Sequence, residues 1–280
     1  MVQIKIDGHS SKYGIIGNPV THTLSPNMHT QAFQEIGINA VYLPFEITEN
    51  QLPDLLNSFD LLGIKGFNVT VPYKTKILPF LDQLSAEAEI LQSVNTVKKI
   101  NDDWCGYSTD GSGLVRSLAD MSIPIKDKRV LLLGAGGSAA AIAYALMNAD
   151  VFCLQVYNRT QSKAKDLINK LQPHFPHRKF SIDPKQVNSK FDLLINATSV
   201  GLNEDISPVS TEIVSLCDMV VDIIYSPLQT KLMKIADSLS IQNCNGLGML
   251  LYQGVEAFEI WTEKQAPVKK MKETLFKSFV

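Results

Sequence analysis

A chain of 280 residues is too long for one ordinary open-sheet domain and is long enough for two such domains. Its 45% hydrophobic and 19% charged residues are the balance of a globular protein with a substantial core. The formal net charge of −2 argues against nucleic acid or an anionic membrane as a partner, so a few placed cations must hold any anionic ligand.

The cysteines and the amino-terminal residues indicate where the protein works. No two cysteines form a CxxC pair, which predicts isolated thiols in a reducing compartment and no metal site. Residues Met1–Asp7 lack the apolar core of a signal peptide, and no later uncharged apolar run reaches the length of a membrane span. We therefore expect a cytoplasmic protein, and the sequence leaves monomer and homodimer open.

The first third of the chain alternates short apolar runs with helical patterns. Ser25, as N-cap, and Pro26, at the first helical position, predict a helix start. Apolar spacing predicts a second helix over Leu52–Leu62. Strands are predicted at Tyr13–Gly17, Ala40–Phe45 and Gly66–Val71. This alternation predicts a mainly parallel sheet flanked by helices.

The middle of the chain changes pattern and then repeats the alternation. Val94–Ile100 and Trp104–Tyr107 read as a strand pair, and a helix follows Asp110. Buried parallel strands are then predicted at Arg129–Gly134, Phe152–Tyr157, Leu193–Ala197 and Met219–Ile223. No predicted strand follows the helices from Met249 onward, so we expect these helices to pack back against the first domain.

A glycine-rich turn predicts a nucleotide site. It follows one strand, precedes an alanine-rich helix and fits G-x-G-x-x-A, with residues Gly134, Ala135, Gly136, Gly137, Ser138 and Ala139. The glycines allow a tight turn and close approach to a pyrophosphate, which the helix N-terminus binds. Such a turn alone also occurs in flavin and S-adenosylmethionine sites. The strand before it and the helix after it favour a Rossmann-type dinucleotide-binding domain.

The end of the next strand distinguishes NADP from NAD. An NAD site usually has a carboxylate there for the ribose 2′-hydroxyl, whereas this chain has Asn158, Arg159 and Thr160, with Lys163 one turn further. A guanidinium can bind a 2′-phosphate bidentately. The alternative is that these cations merely solvate a helix start, but there they would oppose the helix dipole. NADP is the predicted cofactor.

Ordered motifs along essentially the whole chain make it resemble the shikimate dehydrogenases. Besides the glycine-rich turn, they are Gly17–Pro26, Gly66–Lys74, Val94–Thr96, Gly106–Gly111, Asn158–Thr160, Asn196–Gly201, Asp222–Pro227 and Asn245–Gln253. The resemblance implies two α/β domains: a substrate domain at 1–109 and an NADP-binding domain at 110–246. The helices of 247–280 would return to the first. It also implies reversible reduction of 3-dehydroshikimate to shikimate with NADPH, on the route to chorismate and the aromatic amino acids.

Carried over by position, the resemblance implies roles for individual residues. Catalysis would fall to Lys74 and Asp110. Substrate would be bound by Thr23, Ser25, Thr70, Asn95, Tyr225 and Gln253. Further cofactor contacts would come from Thr198, Gly246 and Met249. Hydroxyls and amides of this kind suit a small acid with three vicinal hydroxyls, because a site that pairs each hydroxyl rejects analogues lacking one.

The chemistry of ketone reduction suits the two predicted catalytic residues. A cation near the carbonyl oxygen stabilises the developing charge, and a paired carboxylate orients the ammonium group. We therefore predict that Lys74 relays the proton and Asp110 positions it. Without the motif, Lys74 would read as a solvated loop residue and Asp110 as a helix N-cap. Tyr225 and Gln253 would read as packing and surface residues, and neither His22 nor His29 receives a catalytic role.

Two departures from the family pattern keep rival functions open. Thr23 and Ser108 stand where the family usually has serine and asparagine, and the extra methyl of Thr23 leaves quinate open as a substrate. A quinate/shikimate dehydrogenase using NAD is one rival, against which Arg159 argues. A methylenetetrahydrofolate dehydrogenase is another, although the chain offers hydroxyls rather than a stacking surface for a pterin. A non-catalytic metabolite sensor is the third, and it would be expected to lose Lys74 or Asp110.

Overall fold

The computed structural model describes residues 6–182 and 190–279, which form helices and strands in alternation. In chain order, helices α1 to α10 are Ser25–Glu35, Leu52–Leu62, Ala86–Leu91, Asp110–Asp120, Gly137–Asn148, Gln161–Leu171, Thr211–Val214, Lys231–Ser238, Leu247–Thr262 and Val268–Lys277. Strands β1 to β12 are Ser11–Gly17, Ala40–Glu46, Ile64–Val69, Gln83–Leu84, Thr96–Ile100, Asp103–Tyr107, Arg129–Leu133, Cys153–Tyr157, Lys179–Ser181, Leu193–Asn196, Met219–Asp222 and Gln242–Cys244.

The chain divides into two compact units. The first unit is Met1–Thr109 together with Gln253–Val280, and the second is Asp110–Tyr252. The first change of unit falls between residues 109 and 110. The return falls inside α9, between residues 252 and 253. A helix has no turn chemistry to mark such a point, so the sequence pattern does not show it.

The sheet of the first unit has the order β2-β1-β3-β5-β6-β4. Strand β1 pairs in parallel with β2 and β3, and β4 pairs in parallel with β6. The hairpin of β5 and β6 joins β3 antiparallel. The predicted mainly parallel sheet is thus confirmed. Strand β3 starts at Ile64, two positions before the predicted Gly66, because Gly63 adopts a left-handed conformation that ends α2 directly before it.

Aromatic side chains from the carboxyl-terminal residues complete the core of the first unit. The Trp261 indole donates to the backbone carbonyl of Val97 at 2.9 Å. A Cβ atom at Gly66 would lie 2.5 Å from the same indole, so only glycine fits there. The Phe258 ring lies 4.9 Å from that of Phe33 on α1. The final helices therefore form part of the first unit's core.

The sheet of the second unit is parallel throughout, with the order β12-β11-β10-β7-β8-β9. Numbered within the unit, this is the strand order 3-2-1-4-5-6 of the Rossmann fold. Strand order reverses between β7 and β10, and in such sheets ligands bind outside the carboxyl ends of the strands at that point. The Rossmann-type domain predicted from the glycine-rich turn is therefore confirmed. Among the described residues, no helix is both long and apolar enough to cross a membrane.

Candidate active site

The glycine-rich turn lies at the reversal point between β7 and β10. Gly134 has a φ of 112°, and a Cβ atom there would lie 2.8 Å from the carbonyl oxygen of Ala197, at the end of β10. Gly136 is the N-cap of α5 and makes no side-chain cap hydrogen bond, and a Cβ atom there would meet open space. The amides of the first helical turn thus face a place where a pyrophosphate fits.

Asp110 is tied to the start of the same helix. The Ser138 hydroxyl donates to a carboxylate oxygen of Asp110 at 3.3 Å. Helices α4 and α5 approach closely at this level, because a Cβ atom at Gly111 would lie only 2.1 Å from the carbonyl oxygen of Ala141. Asp110 is buried, with 7% of its surface exposed. The predicted catalytic carboxylate therefore begins α4 and is fixed against the helix start predicted to hold the cofactor.

The end of β8 presents the predicted phosphate-binding cations. Asn158 donates through its side-chain amide to the carbonyl of Thr160 at 2.9 Å, which shapes the turn before α6. Arg159 and Lys163 are exposed, and the first turn of α6 contains no acidic residue. Because this turn has no carboxylate, a 2′-phosphate would meet no repulsion from one. The exposed guanidinium of Arg159 is accessible to such a phosphate. The residues present fit NADP.

Ser25 does not cap helix α1, contrary to the sequence prediction. Leu24 occupies the N-cap position without a side-chain cap hydrogen bond, and Ser25 is the first residue of the helix. The Ser25 side chain instead interacts with that of Tyr42 on β2, which lowers the pKa of Tyr42 against the larger effect of burial. Only 3% of Ser25 is exposed, and its backbone amide donates to the Thr23 hydroxyl at 3.4 Å. The side chain of Ser25 thus interacts with a neighbouring strand instead of capping its own helix, while its backbone amide links it to Thr23, the other predicted substrate residue.

From Tyr42 a buried hydrogen-bond network crosses the sheet of the first unit. The Tyr42 hydroxyl donates to Asn68 Oδ1 at 2.7 Å, and burial raises the pKa of Tyr42 well above its ordinary value. Asn68 Nδ2 donates to the carbonyl of Asn95 and to the Thr96 hydroxyl, both at 3.0 Å. Because a carbonyl can only accept, the Asn68 amide has one possible orientation. The network therefore joins Ser25 to Asn95 through groups whose donors and acceptors match.

The same network continues to the return of the chain. Asn95 accepts from the amide of Thr109 at 2.8 Å and donates to the Thr109 hydroxyl at 3.0 Å. The Thr109 hydroxyl in turn donates to the backbone carbonyl of Gln253 at 3.1 Å. Three predicted substrate residues, Ser25, Asn95 and Gln253, are thereby held by one network inside one unit. Sequence reasoning assigned no role to Tyr42, Asn68 or Thr109, although a polar residue within an apolar strand was a usable signal.

Lys74 and Thr70 lie just beyond the end of β3. The Thr70 amide donates to the carbonyl of Ile16 at 2.9 Å, and its own carbonyl accepts from Tyr73 at 2.9 Å. Tyr73 is buried and donates its hydroxyl to the carbonyl of Ile47 at 2.6 Å, while the Lys74 carbonyl accepts from Val94 at 2.9 Å. These bonds fix the backbone that carries the half-buried Lys74. Lys74 belongs to the first unit and Asp110 to the second, so their pairing stays a prediction.

The remaining predicted residues lie beyond β10 and β11 in the second unit. The backbone amide and the hydroxyl of Thr198 both donate to Asn196 Oδ1, at 3.1 and 2.7 Å. A Cβ atom at Gly246 would lie 1.8 Å from the carbonyl oxygen of Ile223, so the two backbone segments are in close contact. Met249 is buried, and burial raises the pKa of Tyr225. The predicted substrate tyrosine and these cofactor residues thus belong to adjoining segments.

Other reactive side chains do not gather into a second site. Cysteines Cys105, Cys153, Cys217 and Cys244 are free, and burial raises the pKa of Cys217 to about 12 and of Cys244 to about 11. Across residues 6–182 and 190–279, histidines, cysteines and carboxylates form no group able to hold a metal ion. The thiols are therefore unreactive at neutral pH.

Comparison with known proteins gives matches over nearly the whole chain. Family models match in three segments: the shikimate dehydrogenase substrate binding domain at residues 15–97, shikimate / quinate 5-dehydrogenase at 117–223, and the shikimate 5′-dehydrogenase C-terminal domain at 246–276. A shikimate dehydrogenase (NADP+) of Alkaliphilus metalliredigens is 38% identical over 280 residues, covering 97% of this chain and 98% of that protein.

Solved structures agree with the sequence comparison. A crystal structure of a shikimate dehydrogenase in complex with NADP+ superposes with a TM-score of 0.91 at 34% identity, covering 100% of this chain and 99% of that one. The Thermus thermophilus shikimate 5-dehydrogenase in complex with NADP(H) and shikimate gives a TM-score of 0.87 at 32% identity, covering 96% and 99%. Both units therefore match proteins of one kind.

Proposed function

The chain belongs to the shikimate dehydrogenase family, and we propose on this basis that it reversibly reduces 3-dehydroshikimate to shikimate with NADPH. The observation that carries the proposal is the match of both units, over 97% of the chain, to an NADP-dependent enzyme of that activity. The reaction lies on the route to chorismate and the aromatic amino acids. Neither the NAD-dependent quinate enzyme nor the metabolite sensor is favoured by these matches.

The residues that would hold NADP are those of the glycine-rich turn, the end of β8 and the segments after β10 and β11. They are Gly134, Ala135, Gly136, Gly137, Ser138, Ala139, Asn158, Arg159, Thr160, Lys163, Thr198, Gly246 and Met249. The open space at Gly136 and the exposed guanidinium of Arg159 support this assignment. When bound, NADPH supplies the hydride that reduces the ketone carbon.

Lys74 and Asp110 are the proposed catalytic residues. The ammonium group of Lys74 stabilises the negative charge developing on the carbonyl oxygen and relays a proton to it. The carboxylate of Asp110 orients that ammonium group and accepts a hydrogen bond from a substrate hydroxyl. The bond from Ser138 supports the positioning role, since it restrains the Asp110 carboxylate.

The proposed substrate residues are divided between the two units. Thr23, Ser25, Thr70, Asn95 and Gln253 belong to the first unit, and Tyr225 belongs to the second. Their hydroxyls and amides suit a carboxylate and three hydroxyls, because they can donate to the first and pair with the others. We assign substrate binding to residues 1–109 with the carboxyl-terminal helices, and cofactor binding to the unit that begins at residue 110. We further propose a cytoplasmic enzyme, monomeric or homodimeric, with no nucleic-acid partner.

Nicotinamide absorbance of the purified protein tests the proposal directly. Shikimate and quinate are each offered with NADP+ and with NAD+, and the initial rates of cofactor reduction are compared. We expect rapid reduction of NADP+ by shikimate and rates at least about tenfold lower for the other three pairs. Comparable rates with quinate and NAD+ would identify the rival dehydrogenase. If a folded protein that binds NADP+ reduces it with neither acid, the proposed substrate is wrong.

A further inference from the structure

One carboxylate of the second unit is buried and paired only with neutral groups. Asp222 ends β11 and has no exposed surface. Its Oδ1 atom accepts from Asn196 Nδ2 at 3.0 Å and from the backbone amide of Ile224 at 3.1 Å. Its Oδ2 atom accepts from the Thr230 hydroxyl at 2.8 Å. Burying a charge is costly unless donors compensate, so such a group calls for an explanation beyond packing.

The first donor leads to a proposed cofactor residue. Asn196 is fully buried, and its Oδ1 atom accepts both the amide and the hydroxyl of Thr198. Because those two bonds require an oxygen, the nitrogen of the Asn196 amide must face Asp222. The carboxylate therefore fixes the orientation of Asn196, and Asn196 fixes the turn that carries Thr198.

The second donor leads to a proposed substrate residue and a second cofactor residue. The amide of Ile224 holds the segment that runs directly into Tyr225. The carbonyl of Ile224 accepts from the amide of Gly246 at 3.0 Å, and Gly246 lies against Ile223 with no room for a side chain. A displacement of this segment would therefore move Tyr225 and Gly246 together. The third donor, Thr230, caps α8 through the amide of Met233 and leads to no proposed ligand residue.

We propose that Asp222 is a positioning residue, which holds Thr198, Gly246 and Tyr225 in one arrangement so that cofactor and substrate are bound in register. The inference rests on the proposed function and adds to it, since Asp222 is not among the residues proposed to bind either ligand. The carboxylate accepts from the last residue of β10 and from the segment after β11 at once. Small displacements of groups that align reactants lower rates and affinities strongly. A positioning role therefore explains why a carboxylate is buried at this place.

Three variants distinguish the contributions of the links that start from Asp222. Asp222→Ala removes all three acceptor bonds. Asn196→Ala removes one donor to Asp222, the acceptor of Thr198 and a 3.3 Å bond to the Val200 carbonyl. Thr230→Val removes another donor to Asp222 together with the cap of α8. The dissociation constant of NADP+ is measured by titration calorimetry, and the Michaelis constant of shikimate is measured at saturating NADP+. The melting temperature of each variant is recorded, and both constants are measured well below it.

Each variant has its own expected pattern. Asp222→Ala raises both constants by about tenfold, because the turn that carries Thr198 and the segment that carries Tyr225 both lose the carboxylate that holds them. Asn196→Ala raises the dissociation constant of NADP+ by a similar factor and leaves the Michaelis constant of shikimate within about twofold of wild type. Thr230→Val lowers the melting temperature and leaves both constants unchanged. Asn196→Ala keeps two of the three donors to Asp222. If Asp222→Ala does not fold, the two constants of Asn196→Ala test the inference instead.

Two results would overturn the inference. One is a folded Asp222→Ala variant with both constants at the wild-type level; the other is an Asn196→Ala variant whose two constants rise equally. A purely structural role would shift melting temperatures alone. If the wild-type protein itself oxidises no shikimate with NADP+, the proposed function fails. The NADP+ affinities of the variants then still test the link from Asp222 to Thr198.

Discussion

The two units prepare their ligand sites in different ways. In the second unit, the proposed cofactor site consists largely of backbone: Gly134 and Gly246, which have no room for a side chain, and the start of α5. The exposed guanidinium of Arg159 adds a side chain to it. In the first unit, the proposed substrate site is made of side chains held from beneath by a buried network from Ser25 to Gln253. Backbone sites are determined by local sequence, whereas side-chain sites depend on contacts between distant residues.

The largest expected effect is on catalysis and should leave the cofactor site untouched. Lys74→Met removes the proton relay and should lower kcat by about 10²- to 10⁴-fold. The dissociation constant of NADP+ should stay at the wild-type value, because Lys74 belongs to the first unit. Single-turnover kinetics and calorimetric titration measure the two quantities. Turnover close to that of the wild type would remove Lys74 from the catalytic assignment.

The next effect tests the exposed cation of the second unit. Arg159→Ala removes a charge-assisted contact to the 2′-phosphate, worth about 1.5–3 kcal/mol. The preference for NADP+ over NAD+, measured as the ratio of kcat/KM values, should fall by about tenfold or more. Because the side chain is exposed, the free energy of unfolding should not change. If the preference for NADP+ over NAD+ is unchanged, Arg159 is only a solvated residue at the start of a helix.

A smaller effect tests the buried network of the first unit. Tyr42→Phe leaves Asn68 Oδ1 without its donor, which should lower the free energy of unfolding by about 1–3 kcal/mol. Because Ser25 loses its partner, the Michaelis constant of shikimate should also rise, while NADP+ affinity stays constant. Tyr13→Phe is the matched control, since Tyr13 is also buried and lies on the same sheet. Equal Michaelis constants in Tyr42→Phe and wild type would argue against a positioning network.

The remaining effect concerns stability alone and leaves both ligand sites unchanged. His29 is fully buried, stacks on Tyr42 at 4.6 Å between ring centroids and has no hydrogen-bond partner among the described residues. Burial lowers its pKa to about 3. The unfolded chain, with an ordinary pKa near 6.5, therefore binds a proton that the folded chain does not. Stability is fully present above about pH 6.5 and is lost as the pH falls towards 3.

Urea unfolding at two pH values measures this contribution. Between pH 7 and pH 5, His29 should cost the wild-type protein about 2 kcal/mol of unfolding free energy. His29→Leu, which cannot titrate, should show a smaller loss over the same interval. Equal losses in both proteins would assign the acid sensitivity to other groups.

The sequence alone could predict what depends on near neighbours. The bounds of α2, the mainly parallel first sheet and the glycine-rich turn of the second unit follow from apolar spacing and turn chemistry. Strands β4, β9 and β12 are two or three residues long and too short for a pattern. The N-cap prediction for Ser25 is wrong because the side chain it interacts with, Tyr42, lies on another element. The links of Asp222 likewise exist only once β10 and β11 are paired.

The return of the chain inside α9 has a consequence for biosynthesis. Trp261 and Phe258 complete the core of the first unit, yet they follow the entire second unit in the chain. On a ribosome, the second unit can therefore fold while the first still lacks part of its interior. Gly66 leaves a space that stays unfilled until Trp261 emerges. The unit translated first is thus the one that finishes folding last.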